Sequence, residues 1–489
     1  MDAGRARTGP PGSRRPTLEW AAAAAIVAVA AWLRFRHLGL AQFNDDQAIA
    51  LRIAHDILHG DIRTVGLTSS SGAANPPLYV YIVAAVVAIH HGLIFATQSV
   101  AILSVLAIAL TYVLVRPRFG GTVALVAAAF FATAPWSVLY GRHLWQQDYL
   151  PFVTAVLLWV LFVVLEHDRT RVAFLIPVLF VVAFQLNLSA VALIIPIGLL
   201  LAYRARDVDW RAVGAGIVIG LLSLATWLAH NAKHGFRDFR LIVDNGRGHG
   251  GAAGGGAIEA IRQTIHLASA EGWTFVTGAQ HETGAAWTLG RVAGIAVLVL
   301  LLVGMLTTIV RVVRDGRHPT VDTARRALLV VWLVGLPLSY ITSSRSGVGP
   351  HYLIITYPVS FLLAALGLAD VAALLRRRAA IVALVPAAAI TVAFVAFTLS
   401  FQSFVRQHGG TSGTYGIVYD DTAALAAASR AHHLHVDFAS AEYLAWGHVG
   451  APAGTKVIVT MRNRLKDQSP LPCSGQRRSF GPIDACFPR

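Results

Sequence analysis

Long runs of apolar residues, separated by short arginine-bearing segments, limit what this chain can fold into. A helix needs about 20 apolar residues to cross the hydrocarbon core of a bilayer. Runs of that order fall at 18–36, 97–115, 120–139, 149–165, 172–188, 189–203, 212–229, 287–310, 327–342, 353–375 and 379–400. Charged residues make up only 13% of the 489, against roughly 25% in soluble domains. That shortage excludes a soluble enzyme, a disordered chain and a collagen-like one. The runs do not alternate polar with apolar, which excludes an outer-membrane barrel. The pattern predicts an all-α polytopic membrane protein of about 11 transmembrane helices.

A twelfth apolar run, 76–90, is about 15 residues long, opens with Pro76-Pro77 and closes with His90-His91. Whether it crosses sets the orientation of everything after it. If it does not cross, fifteen arginines fall on one side: Arg116, Arg118, Arg169, Arg171, Arg204, Arg206, Arg211, Arg311, Arg314, Arg317, Arg325, Arg326 and Arg376 to Arg378. The short loops opposite then carry only Arg142 and Arg345. The positive-inside bias puts the fifteen in the cytoplasm. Run 76–90 is therefore expected to lie at, or dip into, the outer face.

This orientation predicts a cytoplasmic tail over 1–17, a membrane body over 18–400 with large outer loops at 37–96 and 230–286, and an outer C-terminal unit over 401–489. The first apolar run has no convincing cleavage site and is expected to be retained. The tail reads as a small α/β unit, helical at 421–433 and strand-like at Val436–Phe438 and Lys456–Thr460. Its cysteines, Cys473 and Cys486, either pair in an oxidising compartment or remain two free thiols. The net charge of +15 is confined to inter-span segments. No basic, aromatic-bearing face suggests nucleic acid as a partner.

The strongest chemical signal is Phe43-Asn44-Asp45-Asp46-Gln47-Ala48 in the first outer loop. Adjacent carboxylates just outside a span can act as base and partner, because mutual repulsion and desolvation tune their proton affinity. Consecutive helical residues do not face the same way, so Asp45 and Asp46 would divide the work. A purely structural alternative is an N-cap, Asn44 or Asp45 opening a helix closed by Gly60. Arg142 and Arg345 are isolated outer cations, suited to a phosphate or to lipid headgroups and salt bridges. Asp148 stands at the start of a span, where it could pair with Arg142 or bind substrate; His351-Tyr352 precedes another. Arg34 and Arg36 are expected to snorkel, and Gly246 to Gly256, which lacks the Lys-Ser/Thr of a P-loop, reads as a loop. No helical pair of metal-ligating histidines occurs. No cofactor is called for, with a divalent cation left open.

Three elements resemble a known family: Leu33-Arg34-Phe35-Arg36-His37-Leu38, then Asp45-Asp46-Gln47-Ala48, then Ala54–Gly60. They look like the opening of polytopic glycosyltransferases of the C-type (GT-C) fold that use lipid-linked sugars: arabinose-type lipid A transferases, protein O-mannosyltransferases and their RgtA/B/C/D-like relatives. Asn75-Pro76-Pro77-Leu78-Tyr79 resembles the family's Pro-Pro-Leu element, and Arg116–Gly121, Ala134-Pro135 and Arg142–Asp148 follow in its order. His351-Tyr352 to Pro358 resembles a late aromatic-proline element. The likeness covers about residues 25–200 by motif and the rest by topology. It implies that Asp45 is the base. Asp46 stands where the family usually has Glu, and Asn75 replaces a frequent Lys or His, which leaves Arg142 or Arg345 as the phosphate cation.

The resemblance implies an inverting glycosyltransferase of EC 2.4 class in the bacterial inner membrane. It would move a sugar from a polyprenyl-phosphate donor to a glycan, lipid or protein acceptor on the outer face. A multi-span carrier or flippase for a lipid-linked or small polar substrate is the alternative. That reading would favour ionisable residues or broken helices near the bilayer midplane.

Overall fold

A computed structural model describes residues 15–69, 72–247, 255–278, 284–341, 348–374, 379–411, 413–436, 438–447, 456–461, 473–481 and 483–487. Helix α1 (Arg15–Phe35) leads into the first connecting segment, where α2 (Asp45–Leu58) and the apolar α3 (Leu78–Ile89) pack together. At 1.5 Å per residue, the 12 residues of α3 reach about 18 Å, well short of a 30 Å hydrocarbon core. Helices α4 (Leu93–Phe119), α5 (Gly121–Thr133), the short α6 (Pro135–Tyr140) and α7 (Leu150–Glu166) complete the first half of the body. Next come α8 (Leu175–Leu186), α9 (Ile194–Tyr203) and the pair α10 (Trp210–Ser223) and α11 (Ala225–Lys233), bent by 55°.

Three helices, α12 (Arg237–Arg247), α13 (Gly255–Ala268) and α14 (Thr274–Thr277), occupy the second large connection. Glycines 246, 255 and 256 thus lie inside helices, where the sequence suggests loop; 248–254 lie outside the described residues. The body closes with α15 (Ala285–Asp315), α16 (Val321–Leu338), α17 (Val359–Leu374) and α18 (Ala379–His408). A 3-10 turn, Pro350–Thr356, precedes α17 at a 58° bend.

The chain is a multi-pass membrane protein. Five described helices are long and apolar enough to cross, or seven if each bent pair counts as one span. The described parts of all eleven apolar runs are mostly helical, although 120–139 is broken at Ala134 between α5 and α6. Close packing inside the bundle uses small residues, as membrane helices generally do. Where α15 crosses α17, a Cβ at Gly304 would collide with the Leu363 carbonyl oxygen, and one at Gly367 with that of Leu300.

The two ends of the bundle differ in charge. At one end Glu166 accepts from both Arg118 and Arg325, Asp370 from Arg311 and Arg326, and Glu19 from Arg116. The arginines counted above are thus partly neutralised by carboxylates that hold helix ends together. The opposite end carries α2, the 3-10 turn and the C-terminal unit.

The C-terminal unit contains α19 (Tyr419–Ala431), β1 (His435–Val436), α20 (Ala439–Trp446), β2 (Lys456–Met461), β3 (Gln476–Phe480) and β4 (Ile483–Phe487). The sheet order is β1-β2-β4-β3, with β1 parallel to β2 and the other pairs antiparallel. Its small core of Leu425, Ala426, Val436, Val457, Ile483 and Phe487 is stapled by a disulfide between Cys473 and Cys486, 13 residues apart. A loop of that length restricts the unfolded chain by about 3 kcal/mol. Reduction, or Cys473→Ser with Cys486→Ser, is therefore expected to lower the unit's unfolding temperature while the membrane body stays folded. Limited proteolysis read by mass spectrometry checks this.

Candidate active site

The site is assembled where the helix ends meet the C-terminal unit. Helix α1 stops at Phe35, and its last carbonyls need partners. Arg142 serves this end: Nη1 donates to Leu33 O in the last turn at 3.2 Å, and Nη2 to His37 O just beyond the helix at 2.8 Å. A cation at a helix C-terminus is also favoured by the macrodipole. This anchors the 141–149 turn to the end of α1.

Arg34 makes a second tie. Its side chain is 0% exposed and donates to Ser104 Oγ (2.8 Å), Ala132 O (2.9 Å) and Ser137 Oγ (2.8 Å). It does not snorkel, because three polar sites from the α4–α6 region already wait for it inside the bundle. Gly141 makes room: a Cβ there would stand 2.6 Å from Arg34 Nε.

Helix α2 opens with a capping box, Asn44 as N-cap and Gln47 as its third helical residue. Gln47 Oε1 accepts the Asn44 N–H at 2.7 Å, and this fixes the amide orientation. Its NH₂ must then donate to His143 Nε2, 2.9 Å away. A neutral His143 therefore carries its proton on Nδ1, which lies 2.9 Å from Asp148 Oδ2. That approach is short but off the N–H axis, and neither Asp148 oxygen has a well-aligned hydrogen bond among the described residues. The relay Asn44–Gln47–His143–Asp148 joins the first connecting segment to the start of α7.

A cleft of about 240 Å³ opens beside this relay. Asp46, Gln47, His143, Trp145, His351 and Tyr415 are among the residues that line it. The His351 and Trp145 rings lie 4.7 Å apart, and His143 meets Trp145 edge-on at 5.5 Å. The segment joining α18 to α19 forms a roof. Its Thr414 N–H donates to Phe275 O at 3.0 Å, Thr411 Oγ1 donates to Val276 O at 2.6 Å, and Tyr415 Oη donates to Leu40 O. Phe43 N–H donates to Ile417 O at 3.2 Å and Tyr419 N–H to Ala41 O at 2.9 Å. The roof thus laces the first connecting segment to the second.

Burial pushes the Asp46 carboxyl above its ordinary value, and neighbouring Asp45 adds to the rise, while His143 opposes it. Near the end of α1, burial holds His37 below its usual value, helped by the cations Arg406, Arg36 and Arg142. Among the described residues, no group of three or more His, Cys, Asp or Glu side chains converges as a metal site.

Comparison with solved structures matches this architecture to ArnT from Cupriavidus metallidurans. The apo form gives a TM-score of 0.57 and the form bound to undecaprenyl phosphate 0.53, each at 15% identity over 89% of this chain and 85% of that one. The chain has the C-type glycosyltransferase fold. The archaeal oligosaccharyltransferase AglB from Archaeoglobus fulgidus, in complex with an inhibitory peptide and a dolichol-phosphate, gives a TM-score of 0.51 at 14% identity, over 85% of this chain and 58% of that one. A family model described as dolichyl-phosphate-mannose-protein mannosyltransferase matches residues 74–230. Comparison with curated proteins by sequence gives no match.

Within this C-type fold, several of the residues singled out from sequence come together and others do not. Asp46 lies on the cleft wall, whereas Asp45 Oδ1 lies 3.5 Å from Ser440 Oγ of the C-terminal unit. His351 lines the cleft; Tyr352 sits beside it, ring to ring at 4.1 Å, with its carbonyl held by Ser189 Oγ. Asp148 pairs with His143 rather than Arg142. Arg142 is buried against α1, with both terminal nitrogens engaged. Arg345 lies outside the described residues. Sequence reading passed over Gln47 and His143. The first was signalled by the Asn-x-x-Gln spacing of a capping box, whereas nothing local distinguishes His143 from the other histidines.

Proposed function

We propose that the chain transfers a sugar from a polyprenyl-phosphate donor to a hydroxyl acceptor, inverting the anomeric centre, on the outer face of a bacterial inner membrane. The observation that carries this reading is the cleft: a carboxylate and two histidines in a partly closed pocket, at the end of a C-type fold similar to a structure with undecaprenyl phosphate bound. The N-terminus would be cytoplasmic, because the arginine-rich bundle end belongs on that side.

In this mechanism Asp46 accepts the acceptor's hydroxyl proton as the oxygen attacks C1. The C1–O bond to phosphate breaks, and its electron pair leaves with the lipid phosphate. Arg36, Arg142 and Arg406, clustered near His37, supply positive potential for that developing charge. Asp45 holds the C-terminal unit against α2, and the His143–Asp148 pair keeps the Gln47 amide oriented. No step is routed through a metal.

The test is transfer by protein reconstituted in nanodiscs, using undecaprenyl-phosphate monosaccharides and a membrane-glycan extract as acceptor. Stoichiometric release of undecaprenyl phosphate with labelled glycan is expected. Movement of an intact labelled donor across vesicles without cleavage would instead establish the carrier.

The pH dependence follows from Asp46. Its carboxyl is raised by burial, and only the ionised form accepts a proton. Activity is therefore expected to be full above that raised value and to fall as pH drops through it. The acid limb of kcat/KM is expected to lie above the ordinary aspartate range, and Asp45→Asn to move it down, since the Asp45 charge contributes to the rise.

A further inference from the structure

Among the described residues, no arginine or lysine lines the cleft beside Asp46. Most of its polar side chains already serve the protein. Gln42 Nε2 donates to Thr414 O at 3.0 Å, Thr414 Oγ1 to Phe275 O at 2.8 Å, Trp136 Nε1 to Glu271 O at 3.0 Å and Tyr415 Oη to Leu40 O. Asn44 and Gln47 cap α2, and His143 stands between Gln47 and Asp148. Apart from Asp46, the polar lining side chains left with no hydrogen bond among the described residues are Tyr140, Trp145 and His351. Tyr140 is buried, whereas Trp145 and His351 are half-buried. Trp145 Nε1 and both His351 ring nitrogens keep accessible surface.

Packing fixes both rings. Trp145 stands just before the 3-10 turn Gln146–Tyr149, and its carbonyl accepts the Asp148 N–H at 3.1 Å. The His351 ring lies 4.7 Å from that of Trp145 and 4.1 Å from that of Tyr352. It also packs over Gly349, where a Cβ would stand 2.5 Å from His351 Cε1. The two side chains indicate the guest. An indole offers a flat apolar face with one donor, and a neutral imidazole offers one donor and one acceptor. A phosphate would find no cation on this wall, and a sugar carboxylate would face Asp46. A hydrocarbon would strip water from the Trp145 and His351 nitrogens and return no hydrogen bond. A neutral sugar satisfies both rings: its C–H face packs on the indole, and a hydroxyl, which donates and accepts, meets the imidazole.

We infer that Trp145 and His351 form the specificity wall for the donor's sugar, that this sugar is uncharged, and that His351 hydrogen-bonds one of its hydroxyls. The inference rests on the glycosyltransferase reading above and adds the class of sugar and the residues that select it. Arg36, Arg142 and Arg406, clustered near His37, do not line the cleft, so the lipid phosphate and the sugar are held by different residues. A site built to hydrogen-bond a substrate hydroxyl rejects the analogue lacking it, because its own polar group is then stranded.

The test uses equilibrium binding in nanodiscs, so that it does not depend on turnover. The probes are undecaprenyl-phosphate mannose, galactose, glucose, arabinose and galacturonic acid, with bare undecaprenyl phosphate as the reference. For the wild type, the best neutral sugar is expected to bind at least about tenfold tighter than the bare lipid, corresponding to 1.4 kcal/mol, and galacturonic acid no tighter. For His351→Phe and Trp145→Leu that gain is expected to fall below about threefold, corresponding to about 0.7 kcal/mol, with affinity for the bare lipid retained. Mono-deoxy analogues of the best sugar then locate the contact: loss of one particular hydroxyl is expected to weaken wild-type binding about tenfold and His351→Phe binding less than about threefold. Should Trp145→Leu fail to fold, His351→Phe decides alone, since its ring keeps the packing against Tyr352. Gains unchanged in the variants overturn the wall, as do tighter binding of galacturonic acid than of every neutral sugar and the lack of any gain in the wild type. If the variants lose the gain while the wild type transfers no sugar to any acceptor, the wall stands and the transferase reading fails.

Discussion

Asp46→Asn is expected to lower sugar transfer by about 10²–10⁴-fold, the range over which a positioned general base contributes. The amide keeps the size and the first-turn position, so capping by Asn44 and Gln47 is expected to persist and the variant to enter the membrane normally. Asp45→Asn is expected to cost less, because that side chain is directed toward Ser440 rather than lining the cleft. Initial rates measured with saturating donor, alongside size-exclusion profiles of both variants, decide between the two acids. Equal losses would show that the pair acts as a unit, and full transfer by a well-folded Asp46→Asn protein would remove the base from this position.

Arg34→Met is expected to have the largest effect on stability. The wild-type guanidinium serves Ser104, Ala132 and Ser137 at once. Methionine has a similar unbranched length but strands those acceptors, each at about 1–3 kcal/mol, for a total of about 3 kcal/mol or more. A clear fall in the unfolding temperature in detergent is expected, accompanied by loss of transfer, because the same contacts hold α6, which leads directly into the turn that bears His143. Arg34→Lys is expected to recover little, since a single ammonium cannot span the fork of partners. An unchanged melting profile for Arg34→Met would show that water replaces the side chain.

The helical body was legible because its signal is local. A run of apolar residues favours a bilayer-crossing helix whatever lies next to it, and the described parts of all eleven runs are mostly helical. The C-terminal α/β unit was legible for a related reason: helical periodicity at 421–433 and the Val-Ile-Val core of β2 are short-range patterns. Of the cysteine alternatives left open, the structure takes the pairing. Span number is less local, since α3 and α5 are short and α10–α11 bends, and length and composition alone count only five to seven.

Side-chain roles divided differently. Arginine is legible as a cation but not by its partner. Arg34 and Arg36 lie two residues apart and were read alike, yet Arg34 is buried under α4–α6 and Arg36 stacks over Trp32 at 4.5 Å. Isolation in an outer turn marks Arg142 as a cation for a phosphate, a lipid headgroup or a salt bridge. In the folded chain that turn lies beneath the end of α1, where the Leu33 and His37 carbonyls accept from its guanidinium.

The sequence by itself determined the class of protein, the α2 carboxylate pair and the asymmetry of charge, because hydropathy and spacing act over a few helical turns. Only the tertiary structure decided which aspartate lines the cleft and that His143 joins Gln47 to Asp148. Such choices depend on contacts like that between Gln47 and His143, 96 positions apart, and the direction in which a side chain points is set by the elements that pack around it.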